Sequence, residues 1–231
     1  MVRPLCNRRE PDVTARYTLF IGSKNWSSWS LRPWLAMKMA HIPFEEVLER
    51  LRTSETKARI LAHSPSGKVP ALKIEGDGPT IVVWDSLAIC ETIAERHPKT
   101  MLWPSDPGLR AEARSIVAEM HSGFPELRKV LPMEVAARHP TPALSDAVQA
   151  EIARVIAIWT SALGRNREGG FLFGPFTIAD AFYAPVVTRF ETYGVHLPAA
   201  SQAYAQRILA LAPMHEWHVG AKLEAHRIAA G

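Results

Sequence analysis

The sequence predicts a small α/β unit followed by an all-helical one. Three observations carry that prediction. Short β-rich apolar runs alternate with helical patterns up to about residue 100; a proline- and glycine-rich stretch, "LWPSDPG" at 102–108, then interrupts; beyond it helical periodicity continues without a convincing strand. A chain of 231 residues with 47% apolar and 22% charged residues can bury one large core or two modest ones. The expected division is an extension at 1–16, the α/β unit at 17–100 and the helical unit at 108–231.

Along the chain, "YTLFIG" (Tyr17–Gly22) reads as a buried strand closed by glycine. Leu31, Trp34, Leu35 and Met39 then recur at helical spacing until "HIP" stops them, and Phe44–Leu48 reads as a second strand. A weaker helix is predicted over 54–63, ended by Pro65 and Gly67. "KVPALKI" and "TIVVW" read as a hairpin around "EGDGP", and "DSLAICETIAERHP" as an amphipathic helix starting at a capping residue. The order is β-α-β-α-β-β-α. Helices are then predicted over 109–131, 144–163, 177–192, 199–211 and 213–227, separated by "HPTP", "REGG", "VHLP" and "AP".

Composition excludes several functions. The net charge of +4 draws two of its positive charges from residues 1–16, where Arg3, Arg8, Arg9 and Arg16 face Glu10 and Asp12. The rest is nearly balanced and carries no basic stripe interleaved with aromatics, so no nucleic-acid partner is predicted. No apolar run reaches the roughly 18 residues of a membrane span, and the first twenty residues lack the apolar core of a secretion signal. Cys6 and Cys90, the only cysteines, stand far apart and form no CxxC pair. A reducing cytoplasm is the expected location. His215 and His218 are three residues apart instead of the four of HExxH, no G-x-S-x-G surrounds a serine, and "SPSGKVP" lacks the first glycine and the hydroxyl of a P-loop, so no metal site, hydrolase elbow or nucleotide loop is predicted.

Four stretches remain. Val69-Pro70 sits at a strand start, where a trans proline opening an edge strand satisfies the local sequence and a cis bond is the alternative. Asp85 and Ser86 begin a helix, either as a plain N-cap or as a seat for a carboxylate, since the free N–H groups and partial positive charge there favour an anion. Thr177 and Asp180 form a capping box with Asp in place of Glu. Finally, "NWSSWSLRPW" (25–34) holds three serines where one would cap a helix. If the ligand is a thiol, lowering its ordinary pKa of about 8.5 by two units takes about 2.7 kcal/mol. A helix N-terminus supplies ~0.3–1 kcal/mol and a hydrogen bond to the charged sulfur ~1.5–3. The dipole alone falls short, which gives a serine beyond the cap something to do. Arg32 then either adds positive potential or pairs with a carboxylate.

In this order, "SSWSLRP", "GKVPAL", "WDSLAI" and "GPFTIADA" resemble the signatures of the soluble glutathione transferase superfamily, the first that of serine-type, zeta-like members. The likeness runs from Tyr17 onward. It implies a thioredoxin-like α/β domain, an all-helical second domain, glutathione as co-substrate without a metal, and a homodimer. Ser27, five positions before Arg32, is implied as the hydroxyl that activates the glutathione thiol, with Ser28 as the alternative. Val69, before a cis Pro70, would pair its backbone with the cysteinyl part, Lys68 would stand where a glutamine is common, and Asp85 and Ser86 would hold the γ-glutamyl end. Trp84, Glu119, Met120 and Phe124 are the wall candidates for a small hydrophobic electrophile between the domains. A glutathione-dependent isomerase of the maleylacetoacetate type and a non-catalytic glutathione-binding scaffold are the alternatives. Neither cysteine stands at the activating position, which disfavours a thiol-disulfide role.

Overall fold

The computed structural model describes residues 15–76, 78–165 and 168–229. The predicted extension lies outside them except for Ala15 and Arg16, and so does Cys6.

The first half follows the predicted order. Strand β1 (Arg16–Gly22) is buried at every residue but Arg16, as befits an inner strand covered on both faces. It pairs in parallel with β2 (Glu45–Glu49) and antiparallel with β3 (Ala71–Gly76), which pairs antiparallel with β4 (Gly78–Trp84). The sheet order is β2-β1-β3-β4. Helices α1 (Ser28–Met39), α2 (Thr56–Leu61) and α3 (Ser86–Arg96) complete the β-α-β-α-β-β-α unit. Lys68 and Val69, read as part of a strand, precede β3, whose registers begin at Ala71. Val69-Pro70 is cis, so the trans alternative does not hold.

The second half is helical throughout: α4 (Pro107–Ser122), α5 (Pro125–Val130), α6 (Asp146–Arg165), α7 (Ile178–Thr192), α8 (Ala199–Leu209) and α9 (Ala212–Ala229). The predicted helix over 109–131 is two helices. Gly123 ends α4, Phe124 turns into the left-handed region at φ 60°, and Pro125 starts α5, because proline fits a first turn but not a helix interior. Around the buried Trp159, edge-on rings of Tyr183, Phe190 and Tyr204 tie α6 to α7 and α8. Among the described residues no helix is long and apolar enough to cross a membrane.

Asp180 secures the start of α7. Its carboxylate accepts from the backbone N–H and hydroxyl of Thr177 (2.8 and 3.1 Å), from the N–H of Leu172 (3.0 Å) and from the Tyr204 hydroxyl (3.2 Å), forming the predicted capping box. These donors hold a charge that burial disfavours, and burial pushes the carboxyl up to about 6.

The two halves meet on α1, which packs against α7 and α3. The loop before α1 is fastened by the helical half. Trp217 of α9 donates to the carbonyl of Lys24 (2.9 Å), Glu224 accepts from the Lys24 N–H, and Asn25 accepts from the N–H groups of Val135 and Ala136 through its carbonyl and its side chain. The Lys24 ammonium pairs with Glu46 at 2.6 Å and lies against the rings of Trp34 and Trp217.

Thr177→Ala is expected to cost about 1 kcal/mol and Asp180→Ala about 3 kcal/mol, because the latter leaves several buried donors without an acceptor; urea midpoints measure both. In the wild type the folded carboxyl binds its proton from about pH 6 downward, before the unfolded one does at its ordinary 3.8. Wild-type stability measured against Asp180→Asn is therefore expected to rise as pH falls from about 6 to 4.

Candidate active site

A cavity of about 770 Å³ opens where β1 and β4 run into helices α1 and α3, beside the loop that leads into β3. Ser27, Lys68, Val69, Pro70, Trp84, Asp85 and Ser86 line it, together with Trp26, Trp29, Leu51, Ile60, Ser66 and Gly67. Residues up to sixty positions apart in sequence thus converge on one cavity.

Ser27 caps α1. Its backbone N–H donates to the Ser23 carbonyl (2.8 Å), and its oxygen receives a long contact from the Ser30 N–H (3.4 Å). Its hydroxyl donates to the Ser30 oxygen at 2.7 Å, and that oxygen also accepts from the N–H of Gly22 (3.0 Å). A Cβ at Gly22 would lie 2.8 Å from Leu51 Cδ1 and 2.9 Å from Val69 Cγ2, so a larger residue there would displace these two lining side chains. The three serines therefore have three tasks. Ser27 faces the cavity, Ser30 links the helix start to β1, and Ser28 accepts from Arg189 of α7 at 3.3 Å. Ser28 does not line the cavity.

At the far wall Asp85 takes a φ of 79°, unusual for a residue with a Cβ. Its carboxylate caps α3 by accepting from the N–H groups of Leu87 (2.8 Å) and Ala88 (3.3 Å), and these bonds offset the strain of the turn. Ser86 is fully buried and accepts from Arg32 Nη1 at 3.3 Å. The Arg32 guanidinium, also fully buried, lies between the rings of Trp29 (4.2 Å) and Phe182 (4.6 Å). Its Nε and Nη2 have no partner. Burial foremost, then the charges of Arg128 and Arg189, lower its pKa to about 9, so it remains a cation at neutral pH. It does not pair directly with a carboxylate, one of the two roles the sequence left open; His121 of α4 stands between, 3.5 Å from Arg32 Nη1 and 3.3 Å from Asp85 Oδ2.

Of the wall candidates from the sequence, only Trp84 lines the cavity. Glu119 is bound in a two-pronged ion pair by Arg154 of α6 at 2.6 and 2.8 Å, while Met120 and Phe124 are buried in the core. The placement follows from helix geometry: α4 turns Met120 inward and leaves Glu119 for its neighbour, and the break after Gly123 folds Phe124 under. Trp26 and Trp29 are marked by their interleaving with the serines, whereas no signal in the sequence marks Leu51, Ile60 or His121. Cys90 lies buried in α3, where desolvation holds its thiol well above the ordinary range and so protonated. Among the described residues no three His, Cys, Asp or Glu side chains gather as a metal site.

Comparison with known proteins follows the same lines. The family model for the glutathione S-transferase N-terminal domain matches residues 26–96, and that for the glutathione S-transferase C-terminal domain matches residues 142–218. A "Probable maleylacetoacetate isomerase" of Caenorhabditis elegans is 35% identical over 103 residues, 45% of this chain and 45% of that protein. The maleylacetoacetate isomerase of Rattus norvegicus is 31% identical over 135 residues, 58% of this chain and 59% of that one. The match thus spans about half the length of these curated relatives. A glutathione transferase homolog from Burkholderia gl BGR1, solved with bound glutathione, superposes with a TM-score of 0.66 over 91% of this chain and 99% of that one at 22% identity, a likeness of fold. The two family models together take in more than half of the sequence, one on each half of the fold, and the chain belongs to the glutathione S-transferase family.

Proposed function

We propose that this chain binds glutathione in the cavity and that Ser27 activates its thiol for attack on a small electrophile. The observation that carries the reading is the convergence of a cavity-facing hydroxyl at one helix start, a cis-proline loop and a capped Asp-Ser turn at a second helix start. In this reading the γ-glutamyl end lies at Asp85 and Ser86, the backbone of Val69 pairs with the cysteinyl part, and Lys68 is at hand beside it. The sulfur then comes to rest at the start of α1.

The energetics define what Ser27 can do. Its hydroxyl donates to Ser30 in the free protein, so donating to a thiolate means exchanging a neutral hydrogen bond of ~0.5–1.5 kcal/mol for a charged one of ~1.5–3. The helix start adds ~0.3–1 kcal/mol. Together these lower the thiol pKa by about one unit, and by two only at the upper ends of both ranges. Positive potential from behind α1 assists. Arg32, Arg128 and Arg189 cluster there, and among the described residues none has a carboxylate within ion-pair distance.

The thiolate attacks an electrophilic carbon, forming a carbon–sulfur bond with loss of a leaving group or addition across a double bond. A glutathione-dependent isomerase is the second reading, favoured by the maleylacetoacetate isomerases among the relatives; there the same addition is followed by bond rotation and expulsion of unchanged glutathione. The electrophile would enter beside Trp29 and Trp84, both partly exposed at the cavity rim. A homodimer in a reducing cytoplasm belongs to this reading. Helix α3 itself exposes no large apolar side chain for such a contact.

Ser27→Ala is expected to lower kcat/KM for conjugation of glutathione to an activated aryl chloride about tenfold to a hundredfold while glutathione affinity changes by less than about threefold. Ser28→Ala is expected to leave turnover in place. Equal loss in both variants would refute the assignment, and glutathione binding without turnover in the wild type would identify a scaffold. For a keto-acid with an activated cis double bond, an isomerase returns all its glutathione and a transferase consumes one molecule per turnover, which a thiol assay distinguishes.

A further inference from the structure

We infer that His121 is a positioning residue for the Asp85–Ser86 turn, held as the neutral Nε2–H tautomer between Asp85 and Arg32, and that protonating its ring loosens this end of the cavity. The inference rests on the reading that the turn holds glutathione. His121 does not line the cavity; it acts through the two side chains it touches.

The tautomer follows from chemistry. A guanidinium has donors and no acceptor, so the His121 Nδ1 facing Arg32 Nη1 at 3.5 Å must be bare and accept. The single ring proton then sits on Nε2, the nitrogen that lies 3.3 Å from Asp85 Oδ2. Arg32 in turn donates to Ser86 at 3.3 Å. Both turn residues thus adjoin one ring supplied by the helical half, the carboxylate directly and the hydroxyl through the guanidinium. The ring cannot readily turn away, for Trp29 meets it edge-on at 5.0 Å and Phe182 packs at 6.1 Å. Arg32 has few acceptors to spare. Its Nε and Nη2 have none, and its two polar contacts are Ser86 and His121.

The charged groups that face His121 are Asp85 at the start of α3, Arg32 on α1 and Arg128 on α5. Partial burial is the largest influence and disfavours the imidazolium; Asp85 opposes it, and the two arginines reinforce it. The ring therefore titrates below its ordinary 6.5 and is neutral at pH 7. A second proton on Nδ1 would confront Arg32 with a donor and a like charge, removing one of the guanidinium's two acceptors. Free glutathione does not titrate between pH 5 and 6.5, and the bound thiol titrates in wild type and variants alike, so the difference between their pH profiles reports His121.

The test combines nuclear magnetic resonance of the His121 ring with calorimetric titration of glutathione from pH 5 to 8, on wild type, His121→Gln and His121→Asn. Unfolding midpoints check that each variant folds. The ring is expected as Nε2–H with a midpoint below 6.5, and wild-type Kd is expected to rise about fivefold from pH 7 to 5. Both variants are expected to bind several-fold more weakly at pH 7 with a flattened profile. An Nδ1–H ring, or variants that keep wild-type affinity and pH dependence, overturns the role of His121 and leaves the glutathione reading standing. A wild type that binds no glutathione at any pH, with the ring locked as described, overturns the glutathione reading and the positioning role with it.

Discussion

Helix α1 is buried on both sides, and the rest of the molecule is arranged around that constraint. Nine of its twelve residues are buried, among them Ser28, Ser30 and Arg32. A buried polar group without a partner costs free energy comparable to a lost hydrogen bond, so each of these side chains must find a partner on a neighbouring element. Ser30 reaches back to Gly22 of β1, Ser28 across to Arg189 of α7, and Arg32 to Ser86 of α3 and His121 of α4. The same bonds that satisfy the helix therefore bind the sheet half to the helical half, and they leave Ser27 at the one end of α1 that faces the cavity.

This wiring also shapes the electrostatics. Burying a guanidinium with two nitrogens unpartnered is unfavourable, and the two aromatic faces of Trp29 and Phe182 offset part of that cost. What results is a fixed positive charge behind two helix N-termini, in a region from which water is largely excluded. An anion at the helix start gains more from such a charge there than it would in water.

Local rules made much of this legible. The strand runs, the stops at "HIP" and "HP", the Asp-Ser turn and the Thr177/Asp180 box each depend on neighbours within a few residues, and the element order follows from them. The break between α4 and α5 is marked by Gly123 and Pro125, but helical periodicity on both sides dominates the pattern. The cis bond at Val69-Pro70 was invisible locally and emerged only from the resemblance. The contribution of α4 could not be read at all. Whether Met120 faces a cavity or the core is decided by how α4 rolls against α7, and the meeting of His121 with Arg32 joins residues 89 positions apart. Three serines in four positions serve three different tasks.

The account centres on Ser27 as the donor that turns a bound thiol into a thiolate at the start of α1. Its most direct test follows the ultraviolet absorbance of the thiolate as the glutathione-saturated protein is titrated with base. A bound-thiol pKa about one to two units below the free value of about 8.5 is the predicted result; a bound thiol that titrates at the free value would contradict the account.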